Sequence, residues 1–191
     1  MSEARDRWLD EGVRVLAEEG ASGVRIDRIA ARLGLSKGSF HHHFDGADGF
    51  KRALLAYVER LSIEVLDQAI RGVPASADAR TVLGHLTDVV GSGDAGLYQP
   101  KLDVALRAWA LFDSDARGAQ SRIDGARVAA LERVWRPLVQ TDAEARTAAL
   151  VPYLLSVGAA VVSPPLLASE LKAVFGVILP LVPGSAPEPG E

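Results

Sequence analysis

Along the first 71 residues apolar positions recur at helical spacing, and glycines interrupt them at short intervals. In residues 3–19, Leu9, Gly12, Val13, Leu16 and Ala17 fall on one face, and Gly20 supplies a stop. A second, shorter helix is predicted over 26–33, with Ile26, Ile29, Ala30 and Leu33 inward. Gly34 can take the left-handed conformation that ends it. Ser36 then stands where a third helix needs a hydroxyl cap, and Phe40 and Phe44 point inward at i, i+4 through position 44. A long helix follows over 47–71, striped by Phe50, Leu54, Val58, Leu61 and Val65.

Beyond "RGVPASADA" the pattern stays helical, with no convincing period-two strand. Helices are predicted near 77–91, 97–113, 115–139, 142–161 and 165–181, with "VGSGDAG" and "FDSDARG" as breaks. Pro152, Pro164 and Pro165 are expected to kink or divide the last pair. The fold class is therefore all-α: a three-helix, helix-turn-helix head over 1–46 and a larger helical body over 47–183, about nine helices together. The tail 184–191, within "PGSAPEPGE", is too rich in Pro and Gly to pack and is expected to be disordered.

The absence of cysteine excludes disulfides, zinc–thiolate sites and thiol catalysis. Net charge is −4, but it is unevenly placed. Between Arg25 and Arg52 six basic residues face three acidic ones, whereas residues 61–191 carry 11 basic and 15 acidic. A locally basic head on an acidic body hints at an anionic partner at one end. The amino-terminal "MSEARDRWLDEGVRVL" is charged and helix-patterned, so no secretory signal is visible and a cytoplasmic location is expected. Residues 147–169 hold no charge over 23 positions, long enough to raise a membrane span. Their Ala, Gly, Ser and Pro content argues instead for a buried interface.

His41, His42 and His43 are consecutive. Successive helical residues diverge by about 100°, so the three cannot converge on one ion, and the only other histidine is distant His85. No metal, cofactor or catalytic residue is expected: no nucleophile, base and oxyanion donors assemble around them.

The stretch "GVRIDRIAARLGLSKGSFHHHFDGADGFKRALLAY" resembles the DNA-binding region of TetR-family transcriptional regulators. The likeness lies in the "IAARLG" helix end, the Ser-x-Gly-x-aromatic third helix and the closing "HF", and it spans about residues 8–57. It implies a cytoplasmic homodimer that binds a palindromic operator in double-stranded DNA, probes the major groove with its third helix, and is released as a repressor by a small-molecule effector. Lys37, Ser39 and His41 align with positions that reach base edges or adjoining phosphates. Gly38 would allow close approach, His42 and His43 would touch phosphate, and Ser36 would cap the helix and bind phosphate at once. Arg25 stands where many members carry a capping Thr, and its guanidinium would take the place of that hydroxyl at phosphate. Ala47 replaces a common phosphate-gripping Lys, and Gly46 replaces the usual cap beside it.

For the body, the resemblance implies an effector cavity and a four-helix interface between subunits. Tyr98, Trp109, Phe112 and Trp135 are candidates for lining the cavity, with ordinary core packing as the alternative for each. Leu154, Gly158, Val161, Leu171 and Phe175 are candidates for the dimer interface. The alternative function is a helical small-molecule-binding protein with weakened DNA binding, suggested by Ala47, Gly46 and by 10 basic against 10 acidic residues in the first 60. If protonated histidines supply missing phosphate contacts, duplex affinity at fixed salt falls from about pH 6 to about pH 8 more steeply than Lys and Arg alone allow. A flat profile in a fluorescence-anisotropy titration would remove that role.

Overall fold

The computed structural model describes residues 3–74, 76–92 and 97–182. The expected tail lies outside the described residues, and the Lys37 side chain is likewise not described. Among the described residues there are nine α-helices and no strand. They are α1 (Glu3–Glu19), α2 (Ile26–Leu33), α3 (Lys37–His41), α4 (Gly46–Arg71), α5 (Ala79–Ser92), α6 (Pro100–Ala110), α7 (Ser114–Trp135), α8 (Asp142–Val161) and α9 (Ala168–Ile178). The chain divides into two compact units. The first takes the amino-terminal part through Leu61 together with Pro100–Ile123; the second takes Ser62–Gln99 and the remainder from Asp124.

The first unit is built around aromatic rings. Trp8, Phe40, Phe44 and Phe50 are buried together with Leu9, Leu16, Ile29 and Leu54, and α6 and the start of α7 add Leu106, Ala116 and Ile123. Gly12 lets α4 lie close against α1: a Cβ there would stand 3.0 Å from Leu54 Cδ1 and 3.1 Å from Phe50 Cζ, too near for a methyl group without repacking. Gly34 ends α2 in the left-handed region at φ 65°, with its N–H donating back to the Ala30 and Ala31 carbonyls. That region favours a residue without a Cβ.

The second unit has two apolar clusters. One joins Leu66 and Ala69 of α4, Leu83 and Leu86 of α5, Leu131 of α7 and Tyr153 of α8. The other packs Val90 against Leu171 and Phe175 of α9 and Ala159 of α8. Thr141 opens α8 with a capping box, its hydroxyl accepting from the Glu144 N–H while Glu144 accepts in return from the Thr141 N–H. Pro152 sits inside α8 without dividing it. The division between α8 and α9 comes from the segment 162–167 instead, where Pro164 and Pro165 lie. No described helix is long and apolar enough to cross a membrane.

Phe40 is completely buried whereas Phe112, on the same unit, is 90% exposed. Phe40→Ala therefore costs about 3–5 kcal/mol in urea unfolding of the full chain, as expected for emptying an aromatic site in a packed core. Phe112→Ala stays within about 0.5 kcal/mol of the parent.

Candidate nucleic-acid interface

The α2–turn–α3 segment is assembled from three local devices. Gly34 turns the chain, Ser36 caps α3 by accepting from the Ser39 N–H at 3.3 Å, and Phe40 anchors the helix from beneath. The Phe40 ring meets Trp8 edge-on at 5.3 Å between centroids, Phe44 at 5.2 Å and Phe50 at 5.6 Å. With that side committed, the opposite side is free: Ser36, Gly38 and His41 are exposed and Ser39 is half-buried.

The helix is shorter than the periodicity suggests. It stops at His41 rather than running through Phe44. His42 is its C-cap and His43 lies in the following turn, with the His43 and Phe44 N–H groups both donating to the Phe40 carbonyl. Seating Phe44 beside Phe50 requires the chain to leave the helical path there. His41 and His42 are exposed and His43 half-buried, so the three imidazoles leave the backbone from different local geometries. Among the described residues no three His, Asp or Glu side chains gather as a metal site.

The structure revises the basic character of this region. Arg28 and Arg32 turn back onto α1, Arg28 against Glu19, and Arg32 against Glu11 at 2.5 Å and Glu18 at 2.8 Å. The hydrogen bond that Arg32 donates to Glu18 raises the Arg32 guanidinium above its ordinary value, and Arg32 lowers Glu18 in turn. Glu11 is buried and also receives Arg14 at 2.9 Å, so the network braces α2 on α1. Arg25 folds onto Asp27 at 3.2 Å. Lys51 is held by Asp115 at 2.9 Å and Asp113 at 3.0 Å. Of the six basic residues between 25 and 52, four are thus occupied by acids, and three of those four draw partners from outside that stretch. Arg52 is exposed and has no ion pair among the described residues.

Arg25, His41, Ala47, Lys51 and Trp109 border one open cleft of about 580 Å³, floored in part by Ile26 and Phe50. Sequence reasoning placed Arg25 and His41 at DNA and Trp109 at an effector; they share this cleft within the first unit. Phe112 is too exposed to line a cavity, because α6 ends at Ala110 and leaves it in the turn. Tyr98 belongs to the second unit and its hydroxyl donates to the Leu166 carbonyl at 3.0 Å. Trp135, also of the second unit, packs on the cluster of Leu66 and Leu131, and its indole N–H is shut from solvent without an acceptor.

The five interface candidates separate by exposure. Leu154 (58%), Gly158 and Val161 (59%) form an outward stripe on α8, at spacings of four and three residues. Leu171 and Phe175 are 1% and 8% exposed and belong to the internal packing of α9, so they are corrected from interface to core. On α9 the outward apolar residue is Val177, followed by Leu181 beyond the helix end. Sequence reasoning missed Trp8, Glu11 and the acidic partners of Lys51, whose main partners, Phe40, Arg32 and Lys51, lie far along the chain from them.

Comparison with known proteins agrees with this geometry. Residues 9–58 match the model of the bacterial regulatory proteins of the TetR family. The HTH-type transcriptional regulator BetI of Rhizobium meliloti is 27% identical over 116 residues, covering 61% of this chain and 53% of that protein. The chain thus spans about half the length of this relative. In fold, the reduced form of Escherichia coli NemR superposes with a TM-score of 0.79 at 19% identity, over 96% of this chain and 100% of that one. A Saccharomonospora viridis protein described as a transcriptional regulator, solved with choline, has a TM-score of 0.70 at 22% identity over 94% and 97% of the two chains. The Gly34 turn, the Ser36 cap and the buried Phe40 all fall inside residues 9–58, the stretch of this chain that matches the TetR-family model of bacterial regulatory proteins.

Proposed function

We propose that this chain is a homodimeric DNA-binding transcriptional regulator, a repressor released from a near-palindromic operator by a small organic effector. The observation that carries the reading is the outward side of α3: Ser36, Gly38 and His41 exposed above a helix pinned by Phe40. Residues 1–46 serve as the DNA-binding domain, and 47–183 as the effector-binding and dimerisation domain.

In this role α3 enters the major groove, with Ser39 and His41 near base edges and Gly38 admitting the backbone. Lys37 reads guanine through its N7 and O6 acceptors. Ser36, Arg25, His42 and His43 meet the sugar–phosphate backbone and set the register. Two copies on one duplex place their recognition helices about one turn, 34–36 Å, apart. The stripe of Leu154, Gly158 and Val161 supports pairing of α8 with a second copy, and exposed Val177 adds to it from α9. Effector binding in the body lowers duplex affinity through a coupling of typically about 1–3 kcal/mol. The relative solved with choline makes small organic cations the first class to screen.

A footprint on genomic DNA, followed by titration of the protected duplex over a salt series, tests the reading. Affinity should fall with salt, and Lys37→Ala should lose about 1–3 kcal/mol of discrimination between the protected and a scrambled duplex. Binding indifferent to both salt and sequence would leave a small-molecule-binding protein without an operator. Separately, Leu154→Glu should convert dimer to monomer in sedimentation while leaving the helical circular-dichroism signal unchanged; an undisturbed dimer would place the interface elsewhere.

A further inference from the structure

Lys51 lies four residues after Ala47, on the same face of α4. Ala47, Lys51, Arg25 and His41 all border the same cleft, so Lys51 lies beside two residues, Arg25 and His41, assigned above to DNA. It is nevertheless spoken for: its Nζ is 2.9 Å from Asp115 Oδ2 and 3.0 Å from Asp113 Oδ2, at the corner between α6 and α7. Asp113 is not free to follow the lysine, because its other oxygen accepts the Ala116 N–H at 2.9 Å and caps α7. The two carboxylates therefore form a fixed anionic seat. Neighbouring carboxylates raise the Lys51 ammonium above its ordinary value, Asp115 foremost, so the group stays charged and cannot leave by losing its proton. It can leave only by exchanging one anion for another.

We propose that Lys51 is a latent phosphate ligand of the DNA-binding face, and that Asp113 and Asp115 act as an intramolecular phosphate surrogate that keeps it from the duplex. The inference rests on the DNA-binding reading. The exchange is feasible because the lysine and both acids are partly solvated, with side-chain exposures of 26%, 23% and 48%, and ion pairs of that kind are weak. The acidic pair acts against binding by occupying the cation. The corner thus sets a ceiling on affinity that sequence-level counting of Lys and Arg overestimates.

The test is a double-mutant cycle on the full chain. Asp113→Asn/Asp115→Asn removes the seat while Asn, itself a good cap, retains the start of α7. Asp115→Asn alone leaves that cap untouched and serves if the double variant folds poorly. Each is made with Lys51 and with Lys51→Ala, and binding to a mixed-sequence duplex of three helical turns is followed by anisotropy across a salt series. With Lys51 present, the double variant should bind about 3- to 10-fold tighter at about 0.1 M salt, and the slope of log affinity against log salt should steepen by about 0.9 per engaged head. Lys51→Ala should cancel both changes, and in the parent it should alter affinity by less than about 2-fold. A gain that survives Lys51→Ala would show that the acids act only as a repulsive field, and an unchanged slope would show that the lysine is never released; either overturns the inference while leaving the DNA-binding reading intact. If no variant, the parent included, binds duplex in a salt-dependent way, the DNA-binding reading itself fails and this inference falls with it.

Discussion

A helix of five residues has too few internal hydrogen bonds to hold its own shape in water, so α3 exists only because something outside it fixes it. That something is the Phe40 ring, shut between Trp8, Phe44 and Phe50. The edge-on pairs with Trp8 and Phe50 are of a kind that contributes about 0.5–1.5 kcal/mol beyond the area they bury. The same contacts orient the helix, because a ring held on three sides leaves one rotational setting for the residues opposite it. Gly12 belongs to this arrangement: without a side chain it lets Phe50 and Leu54 reach α1, and so brings the rings within range of each other. The Arg32–Glu11–Glu18 network then ties α2 to α1 from the other side, so the turn at Gly34 joins two helices that are each independently anchored.

The head was the most readable part of the chain because its structure depends on residue types with few alternatives. A glycine at a left-handed position and a serine at a cap each point to one local conformation, and both appear; Phe40 and Phe44 are both buried, although α3 ends before Phe44. Trp8 escaped because it lies among charged neighbours in "ARDRWLDEG", although it stands four residues before Gly12 and eight before Leu16 on the same helical face. Its importance comes from rings more than thirty residues away, which periodicity within one helix does not register. The end of α3 escaped for a related reason: whether the chain leaves the helical path at His42 depends on where Phe44 finds its partner.

In the body the difficulty was of another kind. A helix apolar on every side has no polar face to reveal which side is inward. Leu171 and Phe175 are as hydrophobic as any interface residue, yet they pack against Val90 and Ala159, while Val177 faces out. The smaller residues Leu154, Gly158 and Val161 were identifiable as a set only by their spacing along α8, and their exposure follows from that spacing.

Charge shows the same limit and has the larger consequence. Counting along the chain gives the stretch 25–52 an excess of three positive charges, but the acids that neutralise it come from α1 and from the corner at Asp113 and Asp115. Cations already engaged with carboxylates release no counterions when a duplex arrives, so they add little to the salt-dependent part of binding unless they exchange partners. On the proposed reading, one head therefore approaches DNA with little uncommitted charge and must lean on neutral hydrogen bonds and imidazoles around α3. Such a head holds poorly by itself, and presenting it twice on a paired molecule makes the second engagement intramolecular, which multiplies affinity without any new contact. The sparse charge of the head and the apolar stripe of α8 are then two sides of one requirement: weak individual contacts are sufficient only where a second copy is held in place.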